Sequence, residues 1–308
     1  MSLISVIIPC FNEEESIKMF YEEFVIKTAR LRRECKFELI FVDDGSEDNT
    51  LKEIKLLAKT VSEDSIKYIS FSRNFGKEAA IYAGLKESTG DFVSLMDVDL
   101  QDPPEMLVEM YERLLNKNLD CVATRRATRK GEPVLRSMFS RMFYRLINKV
   151  SETEIVDGAR DFRLMTRKMA DAVLSLSEKN RFSKGLFSWV GFKTEWISYE
   201  NVERKAGTTK WSFWKLFKYA IEGILGYSTV LLSLPVIFSV LGGLTGAIIL
   251  ILAVIYKNTF LGLLSALFIM FALLSLFVTN IGLYISKINK EVKGRPVYIE
   301  REKGGNKV

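Results

Sequence analysis

Asp97 and Asp99 stand two residues apart where an apolar run turns polar, in Asp91-Phe-Val-Ser-Leu-Met-Asp97-Val-Asp99-Leu-Gln101-Asp102-Pro-Pro-Glu105. Side chains of an extended chain alternate faces, so both carboxylates point the same way and can reach one divalent ion. Paired hard oxygens suit Mg2+ or Mn2+, which hold few protein carboxylates and fill their shell with water and substrate phosphates. The same spacing also serves two solvated carboxylates ahead of a helix capped by Asp102. Two more polar clusters follow apolar runs, Pro9-Cys10-Phe11-Asn12-Glu13-Glu14 and Asp43-Asp44-Gly45-Ser46-Glu47-Asp48. A carboxylate on such a loop can accept from a base imide or from ribose hydroxyls, while Gly45 permits close backbone approach; singly, each cluster also reads as a helix cap. The chain has no histidine, which excludes Ser-His-Asp and Cys-His nucleophiles, histidine bases and the usual zinc or non-haem iron sites. Any acid, base or metal ligand must therefore be a carboxylate. No GxGxxG and no Walker lysine motif occurs, so a dinucleotide or P-loop site is not supported.

The elements that must position these residues alternate along the first 125 residues. Apolar runs Leu3–Pro9, Phe37–Val42, Ile66–Phe71, Phe92–Met96 and Cys121–Thr124 predict strands, separated by amphipathic helical segments. Runs so continuously apolar imply a mainly parallel sheet covered on both faces, hence an α/β domain. Helix starts are expected at Asn12, at Ser46 or Asp48, and at Asp102 before Pro103 and Pro104. Ligands of such sheets bind beyond the carboxyl ends of the strands, where Asn12, Asp43-Asp44, Arg73-Asn74, Asp97–Asp99 and Arg125 fall. Met1 to Cys10 reads as a buried strand and not as a secretory leader. Cys10, Cys35 and Cys121 form no CxxC pair and read as buried thiols of a reducing compartment.

Charge is distributed unevenly. The 308 residues hold 44 Lys+Arg and 38 Asp+Glu for a net charge of +6, yet from Gly223 to Ser286 the only charge is Lys257. That stretch predicts two membrane spans, about 229–256 and 259–286, joined by Lys257-Asn258 as a tight hairpin. Gly242-Gly243-Gly246-Ala247 suits close helix contact within the hairpin or between protomers of a homo-oligomer. Basic residues flank both ends, in a 204–228 segment interleaved with Trp211, Phe213, Trp214 and Phe217 and in a 287–308 tail, which by the positive-inside rule puts both flanks and the N-terminal domain in the cytoplasm. Between Arg125 and Lys149 stand eight Lys/Arg against Glu132 alone. A helix from Pro133 would stripe Leu135, Met138, Phe139, Met142, Phe143 and Leu146 opposite Arg141, Arg145 and Lys149, which fits a membrane-surface helix and a core-packed helix alike.

These three elements in order, followed by Leu100-Gln101-Asp102-Pro103-Pro104 and two C-terminal spans, resemble the GT-A fold, family 2 glycosyltransferases. The resemblance is to polyprenyl-phosphate glycosyltransferases of the bactoprenol glucosyltransferase and dolichol-phosphate mannose synthase type, and it covers essentially the whole chain. It implies a GT-A domain over 1–203, amphipathic juxtamembrane helices over 204–228, the transmembrane hairpin over 229–286 and the basic cytoplasmic tail. It implies that Pro9, Asn12, Glu14, Asp44, Asp97, Gln101, Arg204 and Lys210 hold a nucleotide-sugar, and that Asp97 and Asp99 hold Mg2+ or Mn2+. Asp161-Phe-Arg163-Leu-Met matches the segment of the family's catalytic aspartate; Asp157 lies four residues upstream, so either Asp161 or Asp157 fills that role. Arg125, Arg129 and Arg163 are expected to hold the acceptor phosphate, generic attraction of Arg125 and Arg129 to anionic lipid being the alternative.

The expected reaction moves a sugar, foremost glucose from UDP-glucose, onto undecaprenyl or another polyprenyl phosphate at the cytoplasmic face of a bacterial plasma membrane. UDP-GlcNAc, GDP-mannose or a UDP-aminoarabinose derivative would use the same carboxylates. No nucleic-acid partner is expected. A processive synthase of the same superfamily would carry QxxRW, which is absent. A silent membrane-tethered scaffold is the reading from another class, opposed by intact Asp44, Asp97, Asp99 and Asp161.

Overall fold

The computed structural model describes residues 1–126, 156, 158–176, 178, 181–199, 249 and 259–306. Strands β1 (Ser2–Cys10), β2 (Cys35–Asp43), β3 (Ser65–Phe71), β4 (Phe92–Leu95) and β5 (Cys121–Arg126) alternate with helices α1 (Ser16–Lys27), α2 (Thr50–Thr60), α3 (Lys77–Glu87) and α4 (Met106–Asn116). Then come β6 (Ala159–Thr166), α5 (Arg167–Ser175), α6 (Ser183–Trp189), β7 (Thr194–Tyr199), α7 (Thr259–Val292) and β8 (Glu300–Gly305). The eight strands form one sheet in the order β7-β5-β6-β4-β1-β2-β3-β8. It is a mixed, Rossmann-like α/β sheet, parallel from β4 through β1 and β2 to β3 and between β5 and β7.

Burial on both faces explains why β1 reads as a continuous apolar run. Ile4, Val6 and Ile8 pack on one side with Ile17, Phe20 and Met110, and Ile7 packs on the other with Ile81 and Leu85. All four strand residues have no exposed surface, so a polar substitution at any of them would bury an unpaired group. Chain order reverses at β1, flanked by β2 and β4, and such a switch point opens a crevice beyond the carboxyl ends of the strands. The three cysteines are buried and free, as expected.

Three strands depart from the sequence expectation. Strand β6 holds the Asp161 motif and runs antiparallel to both β4 and β5. Its first residues therefore lie at the edge where the parallel strands end. Strand β7 lies beside β5 at one margin. At the other, residues 300–305 of the expected free tail form β8, antiparallel to β3. The Asn306 amide locks that strand, accepting from Ile66 N at 2.6 Å and donating to the carbonyls of Val61 at 2.6 Å and Asp64 at 3.0 Å.

The amphipathic helix expected from Pro133, the 204–228 segment and the first expected span, residue 249 apart, lie outside the described residues. Among the described residues no helix is long and apolar enough to cross a membrane. The second expected span falls within α7, a 34-residue helix that exposes Phe260, Leu263, Phe271, Val278 and Ile285.

Candidate active site

Four loops meet at the carboxyl edge. The turn after β1 carries Asn12 with φ of 53°, and the turn after β2 carries Gly45 with φ of 68°. They are laced together: Asn12 N donates to Ser46 Oγ at 2.9 Å, Glu47 N donates to Asn12 Oδ1 at 2.9 Å, and both Asn49 nitrogens donate to Glu14 Oε2 at 2.9 Å. A Cβ on Gly45 would lie 2.3 Å from the Arg73 carbonyl carbon, so only glycine lets this turn rest on the loop after β3. Pro9 is the penultimate residue of β1, beside Val42 in β2.

Asp44 closes the same junction from below. It is 4% exposed, and its carboxylate accepts from Phe75 N at 2.7 Å and from Gly76 N at 2.9 Å. Burial pushes its pKa up to about 6, against the pull of those two amides. Neighbouring Asp43 accepts from Ser46 N at 3.0 Å and Ser70 Oγ at 2.7 Å. Asp44 thus braces the turn after β2 against the loop after β3, with its oxygens turned to backbone amides.

The Asp97 loop does not continue the extended alternation. Val98 and Asp99 form a turn, Leu100 takes φ of 56°, and Asp99 Oδ1 accepts from Gln101 N at 3.1 Å. Asp99 is buried, while the Asp97 side chain is 29% exposed. Asp102 is no helix cap here. It is 1% exposed and accepts from Tyr199 Oη and from Arg160 Nε, and Arg160 also donates to Gln101 Oε1 at 3.4 Å. That polar knot ties the Gln101 turn to β6 and β7.

Register brings the Asp161 motif to Asp97. Leu95 pairs with Arg163 as the last pair of the antiparallel β4–β6 ladder, so the chain leaving β4 toward Asp97 passes the start of β6 that carries Asp161. The ammonium of Lys77, the first residue of α3, lies between them, 2.7 Å from Asp97 Oδ1 and 2.7 Å from Asp161 Oδ2. Burial would raise the Asp161 pKa, but Lys77, with Lys184 behind it, holds the carboxyl well below the usual range. Lys77 was not singled out in the sequence. Its signal is a lysine in the first turn of a helix, where the dipole disfavours a cation.

The remaining expected site residues are dispersed. Arg163 is 2% exposed, donates to the carbonyls of Asp161 and Arg160 at 3.1 and 2.9 Å, and stacks 3.9 Å over the Phe187 ring. It faces inward as a brace of β6, in contact with backbone carbonyls and the Phe187 ring. Arg125 is exposed and donates to Ser198 Oγ at 2.9 Å. Arg129, Asp157, Arg204 and Lys210 lie outside the described residues.

Carboxylates, one lysine and a switch-point crevice suit a phosphorylated, cation-dependent substrate, and residues 5–174 match the family model Glycosyl transferase family 2. The chain is a family 2 glycosyltransferase. Its relatives run the length of it. This glycosyltransferase is 42% identical over 97% of its chain to the putative glycosyltransferase CsbB of Bacillus subtilis, covering 92% of that protein. It is 39% identical over 96% of its chain to the bactoprenol glucosyl transferase of Shigella phage SfII, again covering 96% of the relative. Among solved structures, the Pyrobaculum calidifontis mannosyltransferase in complex with GDP-Man and Mn2+ superposes with a TM-score of 0.50 at 17% identity, over 72% of this glycosyltransferase and 63% of that chain. At that identity the superposition speaks for the GT-A fold alone.

Proposed function

We propose that this glycosyltransferase moves glucose from UDP-glucose onto the phosphate of undecaprenol or a similar polyprenol, with inversion at the anomeric carbon. The meeting of Asp97, Lys77 and Asp161 carries the reading, in a chain similar from end to end to proteins named bactoprenol glucosyl transferase.

The residues fit a divalent ion. Asp97 and Asp99 offer hard carboxylate oxygens, and Asp97 already draws a cation in the Lys77 ammonium. Among the described residues no three carboxylates are gathered as a cluster, so donor phosphates and water would complete the shell. A bound ion, Mg2+ or Mn2+, would neutralise charge on the departing nucleoside diphosphate. Arg204 and Lys210 are proposed to add positive charge there, and Asn12, Glu14 and the Asp44-braced turn to seat the nucleotide.

The attacking group is a phosphate monoester whose second pKa is about 6 by analogy with phosphoamino acids, so it arrives largely ionised at neutral pH. One of its oxygens attacks the anomeric carbon, the bond to the nucleoside diphosphate breaks, and no histidine is required. Asp161, held ionised by Lys77, orients the acceptor or the sugar ring more readily than it abstracts a proton.

The acceptor is a lipid, and we read residues 229–286 as the hairpin that brings the enzyme to it, catalytic domain on the cytoplasmic side. Residues 259–286 contain no Asp, Glu, Lys or Arg, the composition on which this reading rests. The exposed Phe260, Phe271 and Val278 suit lipid better than water.

The deciding experiment offers the detergent-solubilised chain a panel of radiolabelled nucleotide-sugars with undecaprenyl phosphate and Mg2+ or Mn2+. Lipid-extractable counts from UDP-glucose are expected, and transfer from no donor at all would sink the assignment.

A further inference from the structure

The geometry points to Lys77 as a positioning residue that holds Asp97 and Asp161 together before substrate arrives, then yields Asp97 to the divalent ion while keeping Asp161 aligned. This inference rests on the proposed ion site at Asp97.

Three elements far apart in sequence meet on this one ammonium: the start of α3, the loop after β4 and the start of β6. Nζ lies 2.7 and 3.0 Å from the two Asp97 oxygens and 2.7 Å from Asp161 Oδ2. Both carboxylates lie 2.7 Å from the one ammonium, close enough that like charges repel unless a cation stands between them. The lysine stays there against the dipole of its own helix, so the two acids and not α3 account for its position. Its neighbour Glu78 accepts from Ser183 N at 2.9 Å, which ties α3 to α6 and aims the first turn at the site.

The Asp97 oxygens that Lys77 uses are the ones a metal ion needs. Lysine and ion therefore compete for Asp97, whereas Asp161 keeps its ion pair with the lysine. Removing the ammonium should push metal affinity and turnover in opposite directions, an outcome that a general loss of structure does not produce.

The test measures Mn2+ binding to the full-length protein by the EPR signal of free Mn2+, with no nucleotide or lipid present, alongside melting in EDTA and turnover. Lys77→Gln is expected to bind Mn2+ about fivefold more tightly, the size of one modest ionic contact, while kcat falls about 30-fold or more. Lys77→Arg, whose planar fork grips a carboxylate more firmly, should bind Mn2+ more weakly than wild type with its melting temperature unchanged. If Lys77→Gln binds Mn2+ no more tightly than wild type, the inference is overturned. Should that variant not fold, unchanged Mn2+ affinity in Lys77→Arg overturns it equally. Wild-type protein that binds Mn2+ but transfers no sugar would reject the proposed reaction alone, leaving the role of Lys77 intact.

Discussion

The ring of Tyr298 stacks on the ring of Phe71, with centroids 4.7 Å apart and planes within 20° of parallel. Phe71 ends β3, and one residue on, Ser72 N donates to the Ile299 carbonyl at 3.0 Å. The C-terminal segment thus clamps the strand that leads into the Arg73–Lys77 loop. Tyr298→Ala should cost about 1–3 kcal/mol, read as a lower midpoint in denaturant, and raise the donor KM more than it lowers kcat. An unchanged midpoint would mean that β8 holds without its aromatic anchor.

Asp44 should give the fold a pH dependence of its own. Its folded pKa of about 6 lies above the ordinary 3.8, so the folded state favours the protonated acid. Stability from this group is fully present below about pH 4 and is lost as pH rises through about 6, at most about 3 kcal/mol in all. Melting curves of wild type and Asp44→Asn between pH 4 and 7 should therefore diverge, with the downward slope confined to wild type. Parallel curves would show that Asp44 does not titrate in this window.

Asp97→Asn and Asp99→Asn remove one charged ligand each from the proposed ion site. Each should lower kcat/KM by about 100-fold or more and weaken Mn2+ binding, and Asp97→Asn should keep the melting behaviour of wild type. The Asp99 variant is expected to lose more cooperativity in melting, because its carboxylate also holds the Gln101 turn at 3.1 Å. Activity within about threefold of wild type in either variant would remove that residue from the site.

Asp161→Asn keeps the shape of the side chain and removes the charge that meets Lys77. If Asp161 orients groups that are already ionised, kcat drops about 100-fold and the acidic limb of the pH–rate profile stays where it was. A displaced limb would instead identify Asp161 as a general base.

Strands β1 to β5 were legible because parallel strands buried on both faces read as unbroken apolar runs. Strand β6 was legible only as a motif, since Arg160, Asp161 and Arg163 interrupt its apolar pattern. Strand β8, Glu-Arg-Glu-Lys-Gly-Gly, has no apolar residue; it is held by backbone pairing, by the Lys55–Glu302 ion pair at 2.7 Å and by Asn306. A charged edge strand protects a sheet margin from other chains and looks like a tail in sequence.

Among the site residues, the acids at the carboxyl edge were readable and their partners were not. Asp44 was expected to face a nucleotide, and its oxygens are turned to the amides of Phe75 and Gly76. Arg163 was expected to face an acceptor, and its guanidinium lies over Phe187.

By itself the sequence determined the class of sheet, the uncharged C-terminal stretch and the restriction to carboxylate chemistry, because periodicity and side-chain type are local properties. Only the tertiary structure decided which charges meet. Asp161 lies 84 residues from Lys77, and their contact depends on β6 running antiparallel to β4 in one register. A shift of that ladder by one residue would turn Asp161 to the opposite face of the sheet and leave Asp97 without its counterpart.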